Sequence, residues 1–136
     1  MKIKNVACAL LIKDKKLLLQ DRKNISKYWE EWSFFWWWIE EWENPKDALL
    51  REIKEELWFE ISSWKIKYLW EIVHYTDFWV EYHRFLFWIE IPKEINFFED
   101  KEWSWAYFFD LNEVLNLKFN TKIEAEIFQL KNNFLF

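Results

Sequence analysis

Apolar-rich segments alternate with short polar breaks along the chain, and their spacing predicts the elements. Residues 3–12 and 16–22 are apolar-rich and flank Lys13-Asp14-Lys15, a β-hairpin signal. Residues 23–31 are polar and irregular, a loop leading to Trp32-Ser33-Phe34-Phe35. Asn44 suits an N-cap, Pro45 the first helical position, and Asp47 the positive end of a helix. Leu49, Ile53 and Leu57 then lie four apart with Leu50 beside them, so a helix over 45–57 with one buried stripe is expected. Residues 65–76 and 80–91 alternate in part and flank Asp77-Phe78-Trp79, a second hairpin. A strand near 105–109 runs into Asp110-Leu111-Asn112-Glu113, which has capping-box spacing for a short helix. Thr121-Lys122-Ile123-Glu124 repeats that signature ahead of a C-terminal helix over roughly 122–133. The order β-β-β-α-β-β-β-α-α, without repeat or linker, predicts one α/β domain over residues 1–136, with helices packed on sheets.

Composition narrows the class of partner. A net charge of −5 leaves no basic stripe to offset a phosphate backbone, which argues against a nucleic-acid polymer. A small anionic ligand bridged by a metal ion remains compatible with it. Cys8 is the only cysteine, so there is no disulfide framework, and a reducing cytoplasmic setting is expected. The apolar run Val6 to Ile12 is followed at once by Lys13-Asp14-Lys15-Lys16, which reads as a buried strand rather than a secretory signal. No stretch approaches the roughly 18 apolar residues of a membrane span, so no membrane partner is expected.

Glycine is absent, and there are 13 tryptophans. A mixed domain needs several left-handed backbone positions, which glycine supplies without steric cost. Trp64, Trp70, Trp79 and Trp103 fall where turns are expected, a pattern that reads as systematic replacement of glycine by tryptophan. A tryptophan at such a position costs roughly 1–2 kcal/mol, and residues 36, 37, 42 and 58 are expected to carry that cost.

The chemistry concentrates in the first helix. Glu52, Glu55 and Glu56 fall within an arc of about 100° along the edge of its buried face. No lysine stands four residues after any of them. The like-charged pair Glu52 and Glu56 destabilises a helix by a few tenths of a kcal/mol. Hard oxygen ligands gathered in this way suit Mg²⁺ or Mn²⁺. The plainer alternative is a solvated charged helix, its acidity diluted by Lys46 and Lys54.

Upstream spacing bears on that choice. Seven residues separate Glu43 from Arg51, and five separate Trp37 from Glu43. Downstream come Glu52, Ile53, Glu55, Glu56, Leu57, Trp58 and Phe59. The pattern resembles the Nudix box, G-x5-E-x7-R-E-U-x-E-E-x-G-U, where U is a bulky apolar residue. Glu43, Arg51, Glu52, Glu55 and Glu56 occupy every charged position, while Trp37 and Trp58 occupy the two glycine positions. Trp32 to Glu40 is similar to the family's aromatic lead-in.

The resemblance implies an α/β/α sandwich with a mixed sheet. It also implies Mg²⁺- or Mn²⁺-dependent hydrolysis of a nucleoside diphosphate linked to another group. Carried over residue by residue, Glu55 and Glu56 are the principal metal ligands, with Glu55 also in the catalytic set, and Glu52 is a further ligand or the base. Arg51 orients Glu52 or Glu43, Glu43 braces the loop, and the backbone carbonyl of Trp36 is another ligand. An acid outside the box, Glu102 or Glu99, would assist. The substrate within this class is left open, as is a homodimer. The alternative is a non-catalytic Nudix-like domain that binds a nucleotide or a protein, its phosphate loop blocked by tryptophans.

His74, Tyr75, Glu81 and His83 lie on the second hairpin. Two histidines nine apart across a turn could face each other as a zinc or catalytic pair, but no further histidine or cysteine completes a site. Hydrogen-bonded strand histidines are the competing expectation. Phe34, Tyr75, Phe85 and Tyr107 could stack a nucleobase, although core packing accounts for most aromatics. The run Trp36-Trp37-Trp38 must show at least one ring outside.

Overall fold

The computed structural model describes residues 2–21, 32–57, 61, 65–75, 79–93 and 106–114. They form two compact units, one of residues 1–11 and 35–92, the other of residues 12–34 and 93–136. The α/β class expected from the pattern is the one observed, with helices set among strands.

The first unit holds most of β1, Lys2–Lys13, whose residues Val6 to Leu11 are all buried. Such an unbroken apolar run is what a strand covered on both faces requires. β4, Phe35–Trp38, pairs antiparallel with β1, setting Ala7 opposite Trp37, Cys8 opposite Trp36 and Ala9 opposite Phe35. The small β1 side chains leave room for the large β4 rings. β5, Lys65–Tyr75, and β6, Val80–Glu90, form the second hairpin. A bulge lies between Tyr68 and Glu71, where Leu69 and Trp70 together oppose Leu86. Trp70 therefore sits inside a strand, at its bulge, rather than in a turn.

α1 spans Pro45–Glu52, and its first turn is as the sequence dictates. Asn44 Oδ1 accepts from the Asp47 backbone N–H at 2.9 Å, and Asn44 Nδ2 donates to Asp47 Oδ2 at 2.8 Å. Ala48, Leu49 and Ile53 are buried. The expected α-helix does not run on to residue 57: Ile53–Leu57 is a π-helical turn. In an α-helix Glu52 and Glu56 would stack at i,i+4, and the wider π winding displaces that register.

In the second unit, β2, Lys16–Asp21, pairs antiparallel with β3, Trp32–Ser33, and with β7, Ala106–Asp110. Asp14 and Lys15 have φ of 49° and 61°, the left-handed pair typical of a tight turn between antiparallel strands. Trp32 packs edge-on against Phe109 and Tyr107, and a short helix α2, Leu111–Val114, follows β7. The predicted helix over 122–133, the loop 23–31, Trp58, Trp64, Asp77, Glu99, Glu102 and Trp103 lie outside the described residues.

The expected backbone cost at tryptophan is redistributed. Trp36 and Trp37 are extended because they pair with β1, and Trp42 has no positive φ either. Trp79 does, at 61°, with its ring 76% exposed. Trp79→Gly should therefore raise stability by about 0.5–1 kcal/mol, the relief of left-handed strain less the extra chain entropy of glycine. The check is a higher urea midpoint at unchanged slope; a lower midpoint contradicts it.

Candidate active site

Three of the acids singled out by spacing, Glu43, Glu52 and Glu55, meet around one guanidinium. Arg51, in the last turn of α1, donates from Nε to Glu43 Oε2 and from Nη2 to Glu43 Oε1, both at 2.8 Å. This is the bidentate geometry that a planar guanidinium favours with a carboxylate. Arg51 Nη1 donates to Glu52 Oε1 at 2.9 Å and to Glu55 Oε2 at 3.3 Å. Glu43 Oε1 also accepts from the Glu40 backbone N–H at 3.0 Å, and Glu43 N–H donates to Glu40 O at 3.1 Å. The loop before α1 is thus tied to the helix through one side chain.

Burial divides these acids. The Glu43 side chain is only 5% exposed and faces Arg51, which holds its carboxyl below the usual carboxylate range against the opposing effect of burial. Hydrogen bonding to Glu43, the largest cause, raises the Arg51 pKa in return. Glu52 moves the other way: burial pushes its carboxyl up, Glu56 and Glu55 add repulsion, and Arg51 only partly compensates. Glu55 is 59% exposed, its pairing with Arg51 a surface contact. Glu56 is exposed.

The β4 register directs the Trp36 carbonyl. Ile39 N–H donates to Asn5 O at 3.0 Å in continuation of the β1–β4 pairing, so Ala7–Trp37 is a hydrogen-bonded pair and Cys8–Trp36 is not. The backbone groups of Trp36 therefore face away from β1. Trp37 is buried, Trp38 is 43% exposed, and Trp36 meets Trp38 edge-on at 5.1 Å. One ring of the three does stand outside.

Sequence reasoning missed a cavity of about 590 Å³ beside Glu43, between the start of β1 and the loop before α1. Lys4, Trp38, Glu40, Glu41 and Phe85 are among its walls, and Lys4 Nζ lies 4.7 Å from the Trp38 ring centre. The pairing of Lys4 with Trp38 depends on the β1–β4 register, which no local pattern announces.

Other candidates separate. His74 and His83 do not face each other, because Tyr82 is opposite His74 and Val73 opposite His83, placing the two side chains on opposite faces. Each is hydrogen-bonded within the hairpin. Phe34 is fully buried and unavailable for stacking, Phe85 is half-buried, and Tyr75 and Tyr107 are exposed. Among the described residues no three acidic, histidine or cysteine side chains converge as a ready metal site. Glu52, Glu55 and Glu56 nonetheless fit a hard divalent cation in donor type and charge, all three being carboxylates on one stretch of helix.

A family model described as NUDIX domain matches residues 1–130. No curated protein sequence matches the chain. Among solved structures, the E. coli ORF135 protein is similar at 20% identity and TM-score 0.68, over 97% of this chain and 92% of that one. A structure described as an ADP compounds hydrolase is similar at 16% identity and TM-score 0.71, over 97% of this chain and 72% of that one. The NUDIX domain of Shewanella oneidensis NrtR, complexed with ADP ribose, is similar at 15% identity and TM-score 0.69, over 100% and 90%. At these identities the likeness is one of fold.

Removing one partner of this part-buried pair should be costly, because Arg51 loses its bidentate carboxylate. Glu43→Gln is expected to destabilise the fold by about 1–3 kcal/mol near neutral pH. Glu43 has a lowered folded pKa, so its contribution is present above the unfolded carboxylate value and is lost as pH falls through the lowered one. The stability gap between wild type and variant should narrow in that acid window. Denaturant melts across pH check this; a gap unchanged into acid contradicts it.

Proposed function

The chain belongs to the Nudix family, and on that footing we propose that it hydrolyses the diphosphate linkage of a nucleoside diphosphate derivative with Mg²⁺ or Mn²⁺. The observation that supports this reading best is the arrangement around Arg51. One guanidinium braces Glu43 and steers Glu52, while Glu55 and Glu56 remain at the surface of the same helix.

In this reading Glu56 and Glu55 hold the ion, Glu52 is a further ligand or the base, and the Trp36 carbonyl is another ligand. When bound, the ion offsets diphosphate charge and lowers the pKa of a water. As the base, Glu52 would accept the proton of the attacking water. Arg51 fixes the direction of Glu52 through Nη1, and Glu43 fixes Arg51. Water then attacks phosphorus, and a phosphate or phosphoryl ester departs. Glu102 is proposed as an additional acid. No helix among the described residues is long and apolar enough to cross a membrane. A cytoplasmic setting is proposed from the single cysteine, Cys8, which is buried.

A panel of nucleoside diphosphate compounds, assayed with Mg²⁺, with Mn²⁺ and with chelator, tests the proposal. Metal-dependent release of phosphate or nucleotide is expected. A metal-held charge supplies several kcal/mol, and about 1.4 kcal/mol is tenfold in rate. Glu56→Gln should therefore lower release by roughly 100-fold or more while leaving the melting curve in place. Equal rates in the variant would sink the assignment. Tight nucleotide binding without release would favour the non-catalytic alternative.

A further inference from the structure

The β5–β6 hairpin carries both histidines of the chain, His74 and His83, and they are wired in opposite senses. His83 lies between two carboxylates: Nδ1 faces Glu71 Oε1 in a very short contact, and Nε2 faces Glu81 Oε2 at 2.6 Å. Tyr75 donates its hydroxyl proton to the other oxygen of Glu81 at 2.9 Å. A neutral imidazole has one N–H and one lone pair, so only the imidazolium donates to both carboxylates. Glu71 and Tyr75 are on β5 and Glu81 is on β6, so the protonated ring joins the strands.

On the opposite face, Arg84 Nε donates to His74 Nε2 at 3.0 Å, and the His74 ring stacks on Tyr82 at 5.2 Å with planes 9° apart. Arg84 can only donate, so His74 Nε2 must carry a lone pair and the ring must be neutral. A proton there would break this bond and set a cation beside the buried guanidinium.

We propose that the two histidines form an opposed, pH-responsive clasp, His83 fastening the hairpin as a cation between Glu71 and Glu81, and His74 fastening it only while neutral. Burial, then Arg84, pushes the His74 pKa down, whereas Glu81, then Glu71, pushes that of His83 up. Among the described residues the ionisable groups facing His83 are Glu71 and Glu81, with Tyr75 behind Glu81; Arg84 and the stacked Tyr82 face His74.

The signs follow from linkage. His83 contributes stability below the ordinary imidazole value of about 6.5 and loses it as pH rises through its raised value. His74 contributes above about 6.5 and loses it as pH falls through its lowered value. The hairpin is held most firmly between the two.

With two histidines in the chain, imidazole proton resonances followed by NMR give two resolvable titrations. The midpoints should bracket 6.5, and the Glu71→Gln, Glu81→Gln double variant should return the His83 midpoint toward it without moving that of His74. Amide exchange across β5–β6, corrected for intrinsic pH dependence, should be slowest between the midpoints. Both rings titrating at the ordinary value in the wild type would overturn the proposal. So would exchange with no minimum between them, or an unmoved His83 midpoint in a variant that keeps the wild-type spectrum elsewhere.

Discussion

A guanidinium presents its donors in one rigid plane, and Arg51 spreads them over three carboxylates drawn from a loop and a helix. Two donors close on Glu43 as a fork, which fixes the plane; the remaining edge then has no choice but to point along α1 toward Glu52 and Glu55. Lysine could not substitute, since an ammonium is a point charge with no plane to hold. The buried carboxylate of Glu43 in turn depends on that fork, and the Glu40 amide that caps it ties down the loop. Loop position, helix register and the direction of Glu52 are thus one constraint.

The same arginine leaves two neighbouring carboxyls with opposite tendencies. Glu43, gripped at both oxygens, is held below its usual range, while Glu52, pushed up first by burial and then by Glu56 and Glu55, and touched by Arg51 only once, is held above it. Titratable groups pushed apart by their surroundings are what acid–base chemistry needs. Here the difference comes from geometry: the doubly held acid is a brace, and the singly held one meets Arg51 through one oxygen only. The π turn beginning at Ile53 contributes by carrying Glu55 and Glu56 away from strict α spacing.

Much of this was legible in sequence because it is local or period-bound. Asn44, Pro45 and Asp47 specify a helix start within four residues, and strict spacing exposes Glu43, Arg51, Glu52, Glu55 and Glu56 together. The strands of both hairpins were legible to within a residue or two for the same reason. What stayed hidden depends on pairing across the chain. Nothing in the run of residues 53–57 separates a π turn from an α turn. The opposite faces of His74 and His83 follow from the register of β5 against β6, and a bulge at Leu69–Trp70 cannot be counted from one strand. The stack of Lys4 on Trp38 likewise needs residues far apart in sequence.

Register also resolves what tryptophan does to the loop half of the box. A strand's carbonyls lie in the plane of the sheet, and its side chains stand across that plane. At Trp36 the non-hydrogen-bonded pairing with Cys8 turns the carbonyl outward along the sheet, while the ring leans on Trp38 above it. Trp37, on the other face, fills space that Ala7 leaves. The bulk at these positions is therefore directed at right angles to the backbone oxygen proposed above as a ligand. A tryptophan in place of glycine changes the faces of β4 without, by that fact alone, removing the carbonyl from its edge.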